Sequence, residues 1–326
     1  MAARPITALQ AIERMALRSD NGGFSCIIDA RTEDEFDLDR LPDALNWPSL
    51  TNEERIRVGT LYKQVSPFEA NKVGASLVAA NISRHIDRHV MPLSKEWQPL
   101  IYCWRGGKRS GSLALVLGQI GFRVWLIEGG YKAFRAEMIQ DIARLAPLLH
   151  FQVITGPTGS GKTRLLQALS HSGAQVLDLE DLAKHRSSVL GAIPGLAQPS
   201  QKRFDTLIWD ALRRLDPARP VFIESESKKV GNVAVPTALI DVMRQSPCLI
   251  LVLPDAQRVA LLMEDYAFFV RDMDRRMQAA SGASSAAVPH PFAELSQLVG
   301  RRPIKDIVGE TVDTIERMCI EAALEL

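Results

Sequence analysis

The sequence predicts an α/β protein with two domains, each built on a mostly parallel sheet. Three observations carry this. Short apolar runs of strand length alternate with helical patterns along the chain, as βα units require. Several of these runs end in polar or glycine-rich turns, at the strand ends where doubly wound sheets bind ligands. Two of the turns carry full anion-cradling patterns, one in each half: Cys103-Trp104-Arg105-Gly106-Gly107-Lys108-Arg109-Ser110 and Gly156-Pro157-Thr158-Gly159-Ser160-Gly161-Lys162-Thr163. The first domain is placed at 1–138, a helical connector at 139–150 and the second domain at 151–326.

A chain of 326 residues has room for about two domains. Its 46% apolar and 24% charged residues fit a globular protein. No apolar run approaches the roughly 20 residues that span a bilayer. Met1-Ala2-Ala3-Arg4-Pro5 contains no hydrophobic leader, so a cytoplasmic protein without membrane contact is expected. A net charge of +1 argues against a wholly basic nucleic-acid binder but leaves room for local patches. Basic clusters occur at Arg105/Lys108/Arg109, Lys184/His185/Arg186, Lys202/Arg203, Arg213/Arg214, Lys228/Lys229, Arg275/Arg276 and Arg301/Arg302. Most read as solvated surface; those beside the two loops are candidates for anion contact.

In the first half, a helix is expected over 8–18 and a strand over 26–30. A turn at Leu41-Pro42-Asp43 and a long helix over 67–89 follow. A strand over 99–103 runs into the cysteine loop, a helix covers 110–120, and a strand over 123–127 ends at Glu128-Gly129-Gly130. In the second half, a strand over 151–155 leads into the phosphate-type loop and a helix over 164–170. Strands over 175–179, 221–223 and 248–253 end in Asp178 and Glu180, in Glu224, and at Pro254-Asp255. Residues 278–291 are rich in Ala, Ser, Gly and Pro and read as a linker.

Four cysteines lie at 26, 103, 248 and 319, none spaced for a zinc knuckle or a Cys-x-x-Cys redox pair. Cys26 and Cys248 sit in apolar strand-like runs and read as inert core residues; Cys319 reads as structural. Cys103 differs, because it stands at a strand-to-helix junction among glycines and bases. Loop N–H groups and the following helix N-terminus favour an anion there, and Arg105, Lys108 and Arg109 add full charges. Such surroundings favour a thiolate nucleophile, with Trp104, Gly106 and Gly107 completing the cradle. The Cys-x5-Arg spacing fits a sulfur carrier and a cysteine phosphatase alike.

The second loop is a complete Walker A pattern between a strand and a helix. Gly156, Thr158, Gly159, Ser160 and Gly161 would wrap a diphosphate, Lys162 would add a point charge, and the Thr163 hydroxyl offers a ligand to Mg²⁺. The loop does not say what the diphosphate is attached to. A partner acid should end a neighbouring strand. Glu224 is the better placed candidate and Asp178 the second; a Glu in place of the usual Asp weakens the case for routine ATP hydrolysis.

Ile28-Asp29-Ala30-Arg31 with Glu35-Phe36, Leu41-Pro42-Asp43-Ala44-Leu45-Asn46-Trp47-Pro48, the cysteine loop and Glu128-Gly129-Gly130-Tyr131 together resemble a rhodanese-like domain. That resemblance implies a sulfur- or selenium-carrying Cys103, with Asp29, Arg31 and Glu35 fixing loops. Both halves in this order resemble the tRNA 2-selenouridine synthase family. The further pieces are Tyr62-Lys63-Gln64 with Phe68-Glu69-Ala70, the run from Leu177 to Arg186, Gln198-Pro199-Ser200-Gln201, Glu224-Ser225-Glu226-Ser227 and Leu262-Met263-Glu264-Asp265-Tyr266. The family resemblance implies a wobble 2-thiouridine of tRNA as substrate, selenophosphate as selenium donor, and geranyl diphosphate as the source of an S-geranyl intermediate. It implies no tightly bound cofactor. The motif resemblance stops near residue 270. The His-Tyr-Asp-Pro-like segment expected beyond it is missing; Val288-Pro289-His290-Pro291-Phe292 and a helical pattern over 307–324 stand there instead. Trp104 has two readings, stacking on a flipped base or packing under its loop. The alternatives to the family reading are a rhodanese-type sulfurtransferase with an attached nucleotide-binding regulatory domain, a nucleotide-dependent RNA-binding module and a cysteine phosphatase.

Overall fold

The computed structural model describes residues 2–17, 21–157, 159–186, 191–193 and 195–265. Thr158, Tyr266, the basic pairs at 275–276 and 301–302, the stretch 278–291, the helical pattern over 307–324 and Cys319 lie outside the described residues. The chain divides into two units, one of Met1–Leu145 with Pro199–Arg213 and one of Ala146–Gln198 with Arg214–Leu326.

The first unit runs β1 (Arg4–Ile6), α1 (Ala8–Met15), β2 (Cys26–Asp29), α2 (Glu33–Leu38), β3 (Ala44–Asn46), α3 (Asn52–Gln64), α4 (Pro67–His85), β4 (Pro99–Tyr102), α5 (Lys108–Ile120), β5 (Trp125–Ile127) and α6 (Gly130–Leu145). Its five strands are all parallel, in the order β1-β5-β4-β2-β3. The central strand β4 reads Pro-Leu-Ile-Tyr and is buried at every position, as a parallel strand covered on both faces must be. The core beside it gathers Ile28, Ile101, Leu113, Leu117, Phe122 and Val124. Helix starts follow capping chemistry: the Thr7 hydroxyl accepts from the Gln10 N–H, and Ser66 caps α4 with Pro67 in its first turn. Gly121 ends α5 in the left-handed region.

The second unit runs β6 (His150–Thr155), α7 (Lys162–His171), β7 (Gln175–Leu177) and α8 (Leu179–Ala183). The chain then contributes α9 (Gln201–Leu212) to the first unit before returning with β8 (Pro220–Glu224), β9 (Lys229–Val230), β10 (Val233–Ala234), α10 (Thr237–Gln245), β11 (Cys248–Ile250) and α11 (Asp255–Asp265). Four strands form a parallel sheet in the order β11-β6-β8-β7. β6 therefore lies between β11 and β8, and the loop after β6 lies beside the end of β8.

Both parallel sheets match the α/β expectation. Cys248 does not match the core expectation: it is exposed, because β11 lies at the edge of the described sheet. Cys26 is half-buried. Helix α9 was not anticipated, although Phe204, Ile208 and Leu212 mark one buried face at helical spacing.

Candidate active site

Cys103 follows β4, and its side chain is 3% exposed. The Ser110 hydroxyl, in the first turn of α5, donates to its sulfur at 3.1 Å. The loop curls through Gly106 at φ +69°, where a Cβ would stand 2.8 Å from the Ile127 carbonyl oxygen. Behind the loop, Gly130 at φ +59° leaves no room for a side chain, since a Cβ would lie 2.2 Å from the Cys103 oxygen. The N–H groups of Tyr131 and Lys132 donate to the oxygens of Cys103 and Trp104 at 2.8 and 3.1 Å. Glu128-Gly129-Gly130-Tyr131 is thus the back wall of the cysteine loop.

The loop's cations are arranged in two groups. The Arg109 guanidinium donates to Glu35 at 2.6 Å, and Arg55 on α3 pairs with the same carboxylate at 2.7 Å. Burial pushes the Glu35 carboxyl up, but Arg109 and then Arg55 hold it below the usual carboxylate range. Lys108 donates to Asn71 on α4 at 3.2 Å. Arg105 and Gly107 are exposed, and Gly107 caps α5. Trp104 is half-buried and stacks on Tyr131 with ring centroids 5.3 Å apart. The Lys202 ammonium on α9 lies 5.5 Å from the Trp104 ring centroid. Trp104 thus packs on Tyr131 with Lys202 as its charged neighbour.

Beneath the loop, Arg31 makes a bidentate pair with Asp29, and both side chains are almost wholly buried. Tyr102 donates to Asp29 at 2.7 Å, and Arg31 reaches on to the Asp39 carbonyl oxygen. Asp39 accepts from Tyr131 at 2.6 Å and from Thr206 of α9 at 3.0 Å. Burial raises the Asp39 carboxyl above its ordinary range despite these donors. This buried chain of groups ties the strand ends and α9 to Tyr131, the residue under Trp104.

In the second unit, the phosphate-type loop joins β6 to α7. Gly159 and Gly161 take φ of +74° and +86°, and a Cβ on Gly156 would stand 2.6 Å from the Leu251 oxygen. The buried Ser160 hydroxyl has no hydrogen-bond partner among the described residues. Lys162 donates to the Gly156 oxygen at 3.1 Å and lies 3.5 Å from Glu224. Thr163 donates to Glu224 at 3.2 Å and to Glu180 at 3.4 Å. Burial, then Glu180, push the Glu224 carboxyl up to about 7 against the pull of Lys162. Asp178 turns elsewhere: its carboxylate accepts from the Asp181 N–H and caps α8.

The structure therefore brings together Cys103 with Trp104 and the loop glycines, and Lys162 with Thr163 and Glu224. Asp178 caps α8 and also acts electrostatically on Glu224. Oxygens of Glu180, Glu224 and Glu226 lie within 4.8 Å of one another. With Thr163 they form a hard-oxygen donor set that fits a divalent cation. Ser110, Lys202 and Tyr131 at the cysteine, and Glu180 and Glu226 at the phosphate-type loop, were not among the sequence candidates. Ser110 was within sight, in the loop itself. Lys202 was not, being roughly a hundred positions away in the other half of the sequence.

Known families match both halves of the chain. The family described as the tRNA 2-selenouridine synthase AAA domain matches residues 149–325, and the Rhodanese-like domain matches residues 11–137. The first match continues through the tail, past the point near 270 where the motif resemblance stopped. The tRNA 2-selenouridine synthase of Nitrosomonas europaea is 38% identical over 244 residues, covering 74% of this chain and 63% of that protein. That of Aeromonas salmonicida is 35% identical over 260 residues, covering 79% and 68%. That of Nitrosomonas eutropha is 37% identical over 244 residues, covering 74% and 62%. The chain thus spans 62% to 68% of the length of these relatives. A rhodanese-like cysteine unit followed by this P-loop unit, with identities at this level, places the chain in the tRNA 2-selenouridine synthase family.

Proposed function

We propose that this chain replaces the 2-thio group of a wobble 2-thiouridine in tRNA with selenium. Selenophosphate is the selenium donor, and an S-geranyl intermediate is made from geranyl diphosphate. The observation that supports this best is one chain of this family holding two different anion sites. One is built around a thiol; the other is a diphosphate loop whose strand-end acid is Glu224.

In the first step the 2-thio sulfur attacks the allylic carbon of geranyl diphosphate. A carbon–sulfur bond forms and pyrophosphate leaves. Lys162 and the loop N–H groups meet the charge that grows on the leaving oxygens. A divalent cation held by Thr163, Glu224 and Glu180 would supply further counter-charge. In the second step selenophosphate attacks carbon 2 through selenium, and the alkylated sulfur departs as geranylthiol. Water then cleaves the selenium–phosphorus bond and releases phosphate. The cysteine cradle, with Arg105 exposed at its rim, is the seat for the selenium donor, and Cys103 guides the selenium.

The test uses purified protein, geranyl diphosphate and tRNA containing 2-thiouridine, read by nucleoside mass spectrometry. Wild type should form S-geranyl-2-thiouridine. Lys162→Ala should lose roughly 10²-fold or more of that rate, the scale of one charge-stabilising donor, while Cys103→Ser retains geranylation and loses selenation. Intact geranylation in Lys162→Ala sinks the assignment. Thiocyanate formation from thiosulfate and cyanide, with tRNA untouched, would favour the rhodanese-type sulfurtransferase instead.

A further inference from the structure

We propose that the hairpin of α3 and α4 is the surface on which the single-stranded anticodon loop of tRNA stacks. This rests on the reading above that tRNA is the substrate. No residue of α3 is fully buried; Val58 and Leu61 are half-buried. Along α3, in the turn after it and at the start of α4, four large apolar side chains face solvent: Ile56 at 69%, Tyr62 at 58%, Val65 at 64% and Phe68 at 68% exposure. They are interleaved with cations. Arg57 and Lys63 are exposed and make no ion pair among the described residues. Lys72 lies 5.1 Å from the Phe68 ring centroid and also pairs with Glu69.

Exposed rings separated by unpaired cations are what single-stranded nucleic acid requires: rings for bases, cations for the backbone. Charge complementarity decides between occupants. A second protein chain would cover the rings but would bury Arg57 and Lys63 without partners, at a desolvation cost. A polyanionic strand satisfies both. The hairpin is also continuous with the cysteine loop: Asn71 of α4 accepts from Lys108, and Arg55 of α3 shares Glu35 with Arg109. A loop bound there lies against the structure that carries Cys103.

The full chain would be titrated with fluorescently labelled tRNA, followed by anisotropy over a range of salt. Tyr62→Ala and Phe68→Ala should each weaken binding about fivefold or more, the low end for loss of one base–ring stack. They should leave the salt slope unchanged. Arg57→Ala with Lys63→Ala should lower the magnitude of the slope by about 1.4, two single-strand phosphate contacts. Ultraviolet crosslinking of the unaltered protein to the same tRNA should label the peptide carrying Tyr62 and Phe68, a result independent of how the variants fold. Unchanged affinity in the ring variants, or crosslinks confined elsewhere, overturns the hairpin assignment while wild-type binding keeps the tRNA reading. A wild-type protein that does not bind tRNA overturns both. A changed sedimentation coefficient in the ring variants, with unchanged RNA affinity, overturns it in favour of a protein–protein face.

Discussion

The cysteine loop and the phosphate-type loop both follow a parallel strand and lead into a helix, yet they meet charge in different ways. Around Cys103 the framework is neutralised internally: Asp29 holds Arg31, Glu35 holds Arg109 and Arg55, and Gly130 closes the back wall. Beside Lys162, oxygens of Glu180, Glu224 and Glu226 lie within 4.8 Å of one another, and Glu224 is pushed up to about 7. The first loop is finished by pairs within the chain; the second holds a buried carboxyl that its surroundings strain as an anion.

The largest expected effect probes the finished loop. Asp29→Ala leaves Arg31 buried without its carboxylate and should cost about 3–5 kcal/mol. Urea denaturation of the full chain measures this, and a cost below about 1 kcal/mol would mean that the pair does not hold the loop. The next probes the strained one. A carboxyl raised from 4.5 to about 7 binds its proton more tightly in the folded protein than in the unfolded. Stability is therefore lost as pH rises from about 4.5 to about 7, and the full penalty remains above that. Glu224→Gln should be more stable than wild type by up to about 3 kcal/mol at pH 8, with the gap closing toward pH 4.5. Equal gaps at pH 5 and pH 8 would contradict the strain. The smallest effect is at Ser110. Ser110→Ala removes the hydroxyl that donates to Cys103 and should slow iodoacetamide alkylation of Cys103 a few-fold, the scale of one hydrogen bond. An unaltered rate would make Ser110 a packing residue only.

Both loops were legible because each is contiguous in sequence: a strand, its glycines and its charged residues fall within about ten positions. The parallel sheets were legible from β2, β4, β6 and β8, whose apolar runs have clear ends. β1 and β3 were missed because neither is an apolar run: they read Arg4-Pro5-Ile6 and Ala44-Leu45-Asn46. α3 was missed because its half-buried apolar residues, Val58 and Leu61, are too few to make an apolar stripe. Cys248 was misread because an apolar run looks the same at a sheet edge as in its centre. The part that no local reading reaches is α9. Its own stripe declares a helix, but only the fold shows that it joins the unit of Cys103 and brings Thr206 to Asp39 and Lys202 to Trp104. Glu224 was already preferred to Asp178 from the sequence, and the strand order sets its strand, β8, beside β6.

In the proposed function the two loops serve one reaction on tRNA. Nucleoside mass spectrometry of tRNA from cells lacking this protein tests it directly. The expected result is that 2-selenouridine is lost, returns with the wild-type chain, and fails to return with Cys103→Ser or Lys162→Ala. Unchanged 2-selenouridine in the deletion, or full restoration by either variant, would contradict it.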